Sequence, residues 1–115
     1  MLFLVKQTRE VYQYSETYSY SKADLVQAED IQQVLLEGIL AFLLKQQRLS
    51  IDAGYPCQVE QTRAISKTGT GFTLALEDCF IGGNLTDYFF NIQAVSEENS
   101  MPLERYITNL NSEEF

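Results

Sequence analysis

Between Lys22 and Arg48 the apolar residues return every third or fourth position, and no other stretch constrains the folding of this chain as strongly. At 100° per residue, Leu25, Ala28, Ile31, Leu35, Ile39, Phe42 and Leu43 share one broad face, with Glu29, Asp30, Gln33, Glu37, Gln47 and Arg48 opposite. Ser21 followed three residues later by Asp24 reads as a capping box, and Gly54 with Pro56 as the stop. The expectation is a helix over about 22–48 that must bury one side against a sheet.

The rest of the chain supplies that sheet. From Arg9 to Tyr20 the residues alternate, which predicts one strand carrying Tyr12, Tyr14, Tyr18 and Tyr20 on a single face. Gln58 to Ser66 and Gly71 to Glu77 flank Lys67-Thr-Gly-Thr-Gly71 as the arms of a hairpin. That glycine loop is not a phosphate cradle, because a strand-like run follows it where a P-loop needs Lys-Ser/Thr and a helix. Gly82-Gly83-Asn84 marks a further turn before a strand near Tyr88 to Val95. Ser100 and Pro102 then start a short helix over about Met101 to Leu110, and Asn111 to Phe115 reads as a loose tail. The predicted class is α+β: an antiparallel sheet with one long helix packed on a face, in the order β-α-β-β-β-α. With 115 residues there is room for a single domain and one core.

Charge narrows the function. Eight basic and sixteen acidic residues give a net charge of −8, which argues against direct binding to nucleic acid or to an anionic membrane. Met1 to Val5 is cut short by Lys6, and Val34 to Leu44 contains Glu37, so neither a signal peptide nor a membrane span is expected, and the expected location is the cytoplasm. There is no histidine, which removes Ser-His-Asp and Cys-His nucleophile systems, histidine metal ligands and histidine switches. Cys57 and Cys79 read as two reduced thiols packed as small apolar residues, with a disulfide as the alternative. No catalytic set, metal site or cofactor is expected.

The acids are unevenly distributed. Residues 1–67 hold seven basic and eight acidic side chains, a net of −1, whereas 68–115 hold one basic and eight acidic, a net of −7. Glu77, Asp78, Asp87, Glu97, Glu98 and Glu104 therefore form the expected acidic surface for a basic protein partner. On the helix, Leu40 and Leu44 fall on the face of Glu37, which suggests either burial under another segment or a contact with a second chain such as a homodimer. Gly38 in the helix interior suggests close backbone approach. The tyrosines Tyr12, Tyr14, Tyr18 and Tyr20 read either as core packing or as an exposed aromatic platform. The functional expectation is a non-catalytic protein–protein interaction domain, a small acidic inhibitor or adaptor that docks on a basic partner, with nucleic-acid mimicry as one variant. The rival is a small-molecule-binding or enzymatic domain with a pocket between the long helix and the tyrosine-rich strand, favoured if carboxylates converge there.

Overall fold

The computed structural model describes residues 1–66 and 69–95. Five strands, β1 (Leu2–Gln13), β2 (Glu16–Gln27), β3 (Val59–Ser66), β4 (Gly69–Ile81) and β5 (Asn84–Val95), form one antiparallel sheet in the order β2-β1-β5-β4-β3. Among the described residues a single 22-residue helix, α1, joins β2 to β3 and packs on one face of the sheet. It runs through Ile31–Val34, a π-helical stretch Leu35–Ile39, and Leu40–Asp52. The α+β class and the helix-on-sheet layering are as the sequence predicts. Among the described residues, no helix is long and apolar enough to cross a membrane.

Strand alternation builds the core. Phe72, Leu74 and Leu76 of β4 and Tyr88, Phe90 and Ile92 of β5 are buried beneath the helix, and Phe3 joins them from β1. Val34, Leu35 and Leu43 meet them from α1, and Phe42 sets its ring edge-on to Tyr88 and Phe90, at 5.4 and 6.1 Å. Gly82 and Gly83 take φ of 59° and 86°, so this two-residue turn joins β4 directly to β5. β5 consequently begins at Asn84, four residues before the predicted start.

The N-terminal reading needs correction. Arg9 to Tyr20 is not one strand: the chain turns at Tyr14-Ser15, and Gln13 pairs with Glu16. Tyr14 adopts a φ of 57° without being a glycine, so the turn leaves no composition break to read. The predicted helix start is also displaced. Residues 22–27 belong to β2, paired with β1 from Lys22↔Gln7 to Gln27↔Leu2, because this ladder outweighs the local capping pattern at Ser21. The actual cap is Asp30, whose Oδ1 accepts the Gln33 N–H at 2.9 Å, while the Gln33 Oε1 accepts the Glu29 N–H at 2.7 Å. Over the described residues the order is therefore β-β-α-β-β-β. The expected helix 101–110, the tail and the Lys67-Thr68 part of the glycine loop lie outside the described residues.

Candidate binding cleft

The placement of α1 leaves part of the sheet open. The helix is seated over β4: the Cys79 thiol donates to the Gln46 carbonyl, and Ser50 Oγ accepts the Phe80 N–H at 2.9 Å. The β1–β2 hairpin lies at the other side of the sheet, so its helix-facing surface forms a wedge with the start of α1. The resulting cleft has a volume of about 470 Å³. Val5, Val26 and Phe90 line it from the sheet, and Val34, Ile39 and Phe42 from the helix.

Polar groups stand at this apolar floor from three elements: Gln7 of β1, Asp24 of β2 and Glu37 of α1. Asp24 lies opposite Val5 in the ladder and is therefore on the helix side of the hairpin. Both carboxylates are exposed. Asp24 has Lys22 Nζ at 3.8 Å, an exposed pair of small energetic value, and Glu37 accepts from Gln33 Nε2 at 3.2 Å. Gly38 lines the same cleft, and a Cβ added there meets nothing within 4 Å. Among the described residues, no backbone closely approaches Gly38. The π-helical turn around it, in which the Leu40 N–H bonds to the Leu35 carbonyl, sets Glu37 and Gly38 beside the cleft.

The expected acidic surface separates into different environments. Asp87 is 7% exposed and is a structural residue. Its Oδ1 accepts the Asp78 N–H and its Oδ2 the Tyr12 hydroxyl, both at 2.8 Å. The Tyr12 hydroxyl also reaches Glu10 Oε2 at 2.9 Å. The hydrogen bond to Asp87, supported by the one to Glu10, pushes the Tyr12 phenol well above the ordinary tyrosine range. Glu77 and Asp78 are exposed at a bulge between Leu76 and Cys79, where Asp78 has a φ of 57°. Glu97, Glu98 and Glu104 lie outside the described residues.

The tyrosines do not share a platform. Residues paired in β1 and β2 sum to 29, so an even number on one strand faces the opposite side from an even number on the other. Tyr12 therefore points away from the helix side, whereas Tyr18 and Tyr20 lie on it. Tyr20 carries the Arg9 guanidinium over its ring at 4.7 Å, and the Tyr18 hydroxyl donates to Glu16, which pushes its pKa above the ordinary tyrosine range. Tyr12 and Tyr14 instead frame a second concavity of about 390 Å³ with Tyr55, Phe80 and Leu85, in which Tyr55 stacks on Phe80 at 4.2 Å.

Leu44 is 46% exposed and Leu40 is half-buried; with Leu36, exposed by 67%, they make an i, i+4, i+8 stripe that does not line the cleft. Cys57 and Cys79 are free thiols. Burial, reinforced by the neighbouring Cys57, pushes the Cys79 thiol up to about 11. Among the described residues no three His, Cys, Asp or Glu side chains gather as a metal site.

The presence of Asp24 and Glu37 on one cleft is not legible from the sequence, because Ser21 to Asp24 reads as a helix cap. The alternation of Lys22, Asp24 and Val26 against Ala23 and Leu25 is the signal for a strand, and only the register with β1 shows that its Asp24 side faces α1. Comparison of the chain with protein-family models, with curated proteins and with solved structures finds no match.

Proposed function

We propose that this chain is a non-catalytic interaction domain, a small acidic adaptor or inhibitor, that holds a basic and partly apolar segment of a protein partner in the cleft between α1 and the β1–β2 hairpin. The observation that carries this reading is the presence of two carboxylates, Asp24 and Glu37, at the edge of an apolar floor. An aliphatic or aromatic side chain removes the floor from water, while a Lys or Arg beside it meets the carboxylates. The net charge of −8 adds long-range attraction for such a segment and repels anionic ones. Glu77 and Asp78 extend the acidic surface elsewhere and contribute steering. A homodimeric contact belongs to the same reading, through the leucine stripe of α1 or the outer edge of β2.

The cleft volume also favours a second reading, in which the ligand is a small organic cation, since about 470 Å³ is within the range of small-molecule sites. Titration of isotope-labelled protein with a short Lys/Leu peptide, a Glu/Leu peptide of equal length and an aromatic amine separates the readings. Saturable amide shifts around Val5, Asp24, Glu37 and Phe42 with the Lys/Leu peptide alone support the protein-segment reading. Saturation by the amine alone supports the second reading, and shifts confined to Glu77 and Asp78 or their absence refute the cleft as the site.

A further inference from the structure

Strand β2 is one edge of the sheet and, among the described residues, pairs only with β1. Its 12 residues contain no proline, and its register with β1 is unbroken. A regular edge of this kind is a template for another strand where it is not already engaged; Ala23 has a partner of its own, so the stretch available to a second strand is Glu16 to Lys22. The two-residue turn sets its hydrogen-bonding phase. Gln13 and Glu16, which flank the turn, form a hydrogen-bonded pair, so the even-numbered residues of β2 bond to β1. Thr17, Ser19 and Ser21 consequently turn their backbone N–H and C=O groups outward.

We infer that this edge pairs with the same edge of a second copy, as an antiparallel ladder centred on Ser19 that joins two sheets across a twofold axis. The inference concerns the homodimer part of the proposed function and does not depend on the cleft ligand. In this register Thr17 faces Ser21 of the second copy, Tyr18 faces Tyr20, and Glu16 faces Lys22, each contact occurring twice. Opposite charges and aromatic pairs directly across a ladder are stabilising combinations. The register also supplies a partner for Tyr18, which is 40% exposed on the edge.

Charge selects this edge as well. Two copies of a chain carrying −8 repel, but Glu16 to Lys22 contains one acid and one base and is locally neutral. The other edge, β3, lacks this self-complementarity. A twofold ladder keeps each side chain on its own face, and Glu60 and Arg63 of β3 are three residues apart and so on opposite faces. No self-pairing register of β3 can set them against each other.

Sedimentation equilibrium of the full chain across a wide concentration range tests the inference. A concentration-dependent dimer mass is expected. Ser19→Pro removes an outward N–H that β1 does not use, so it should give a monomer with unchanged circular dichroism and melting. Lys22→Glu should raise the dimer dissociation constant by about tenfold, and Glu16→Lys combined with Lys22→Glu should restore it. A wild-type chain that is monomeric at every concentration overturns the inference. So does a dimer that survives Ser19→Pro and Lys22→Glu but is lost in Leu40→Glu/Leu44→Glu, which moves the contact to the helix. Glu37→Gln should leave the dimer intact and Ser19→Pro should leave the cleft titration intact, so the two proposals can fail separately.

Discussion

Replacing Asp87 with alanine should destabilise the fold far more than replacing any of the exposed acids near it. The Asp87 carboxylate accepts two hydrogen bonds at 2.8 Å, one from the Asp78 amide and one from the Tyr12 hydroxyl. A hydrogen bond to a charged group contributes about 1.5–3 kcal/mol. Tyr12 keeps Glu10 as an acceptor after truncation, so its loss is partial, whereas the Asp78 N–H loses its acceptor at a bulge held in a left-handed conformation. The net cost should be about 2–3 kcal/mol, and with a urea m-value of about 1.5–2 kcal/mol/M the unfolding midpoint should fall by about 1–2 M. Asp87→Asn retains an amide oxygen for the Asp78 N–H and should cost only about 1 kcal/mol. Glu77→Ala, exposed and without these contacts, should remain within about 0.5 kcal/mol of the parent. Urea unfolding followed by circular dichroism measures all three. An Asp87→Ala midpoint equal to that of Glu77→Ala would refute the structural assignment and return Asp87 to the acidic surface.

Three further perturbations probe the backbone and the buried thiol. Gly38→Ala meets no neighbour within 4 Å and should raise stability by about 0.5–1 kcal/mol, read as a higher melting temperature, while its methyl group narrows the cleft and weakens peptide binding. Tyr14→Gly relieves a φ of 57° at a fully exposed side chain and should stabilise the hairpin by about 0.5–1 kcal/mol in the same assay; a loss of stability would mean that the Tyr14 ring has a packing role. The Cys79 thiol ionises at about 11 in the fold against an ordinary value of 9.0, so the unfolded chain releases its proton first as pH rises. Its contribution is therefore complete below about pH 9 and is lost between there and 11, and a pH series of unfolding midpoints should show a shallower alkaline decline in Cys79→Ala than in the parent.

The parts of the fold that were legible in the sequence are those where local pattern and tertiary demand agree. Phe72, Leu74 and Leu76 alternate because β4 has one face under the helix, and Gly82-Gly83 supplies the positive φ values that its turn needs. Ile31, Leu35, Ile39, Phe42 and Leu43 mark the buried side of α1 even with a π-helical turn among them. The misreadings arise where the two disagree. Tyr14 makes a tight turn without the glycine that usually reveals one, so a hairpin looks like a single strand. Ser21 to Asp24 satisfies a helix-start rule, yet its backbone is committed to β1, a long-range pairing that no local rule contains. Asp87 carries a surface residue's charge but lies across from Glu10 with the Tyr12 hydroxyl reaching both carboxylates, an arrangement that requires knowledge of the β1–β5 register. The cleft was hidden for the same reason, since its acidic edge joins a strand residue misread as a cap to a helix residue.

The most direct measurement for the cleft is the affinity of the Lys/Leu peptide, by calorimetry at low salt, for Asp24→Asn/Glu37→Gln and for Glu77→Gln/Asp78→Asn. The two double variants remove the same formal charge, so bulk electrostatics cannot distinguish them. The account predicts a loss of about tenfold or more for the cleft pair and a change within about twofold for the bulge pair. Equal losses in both, or a larger loss at Glu77 and Asp78, would contradict it.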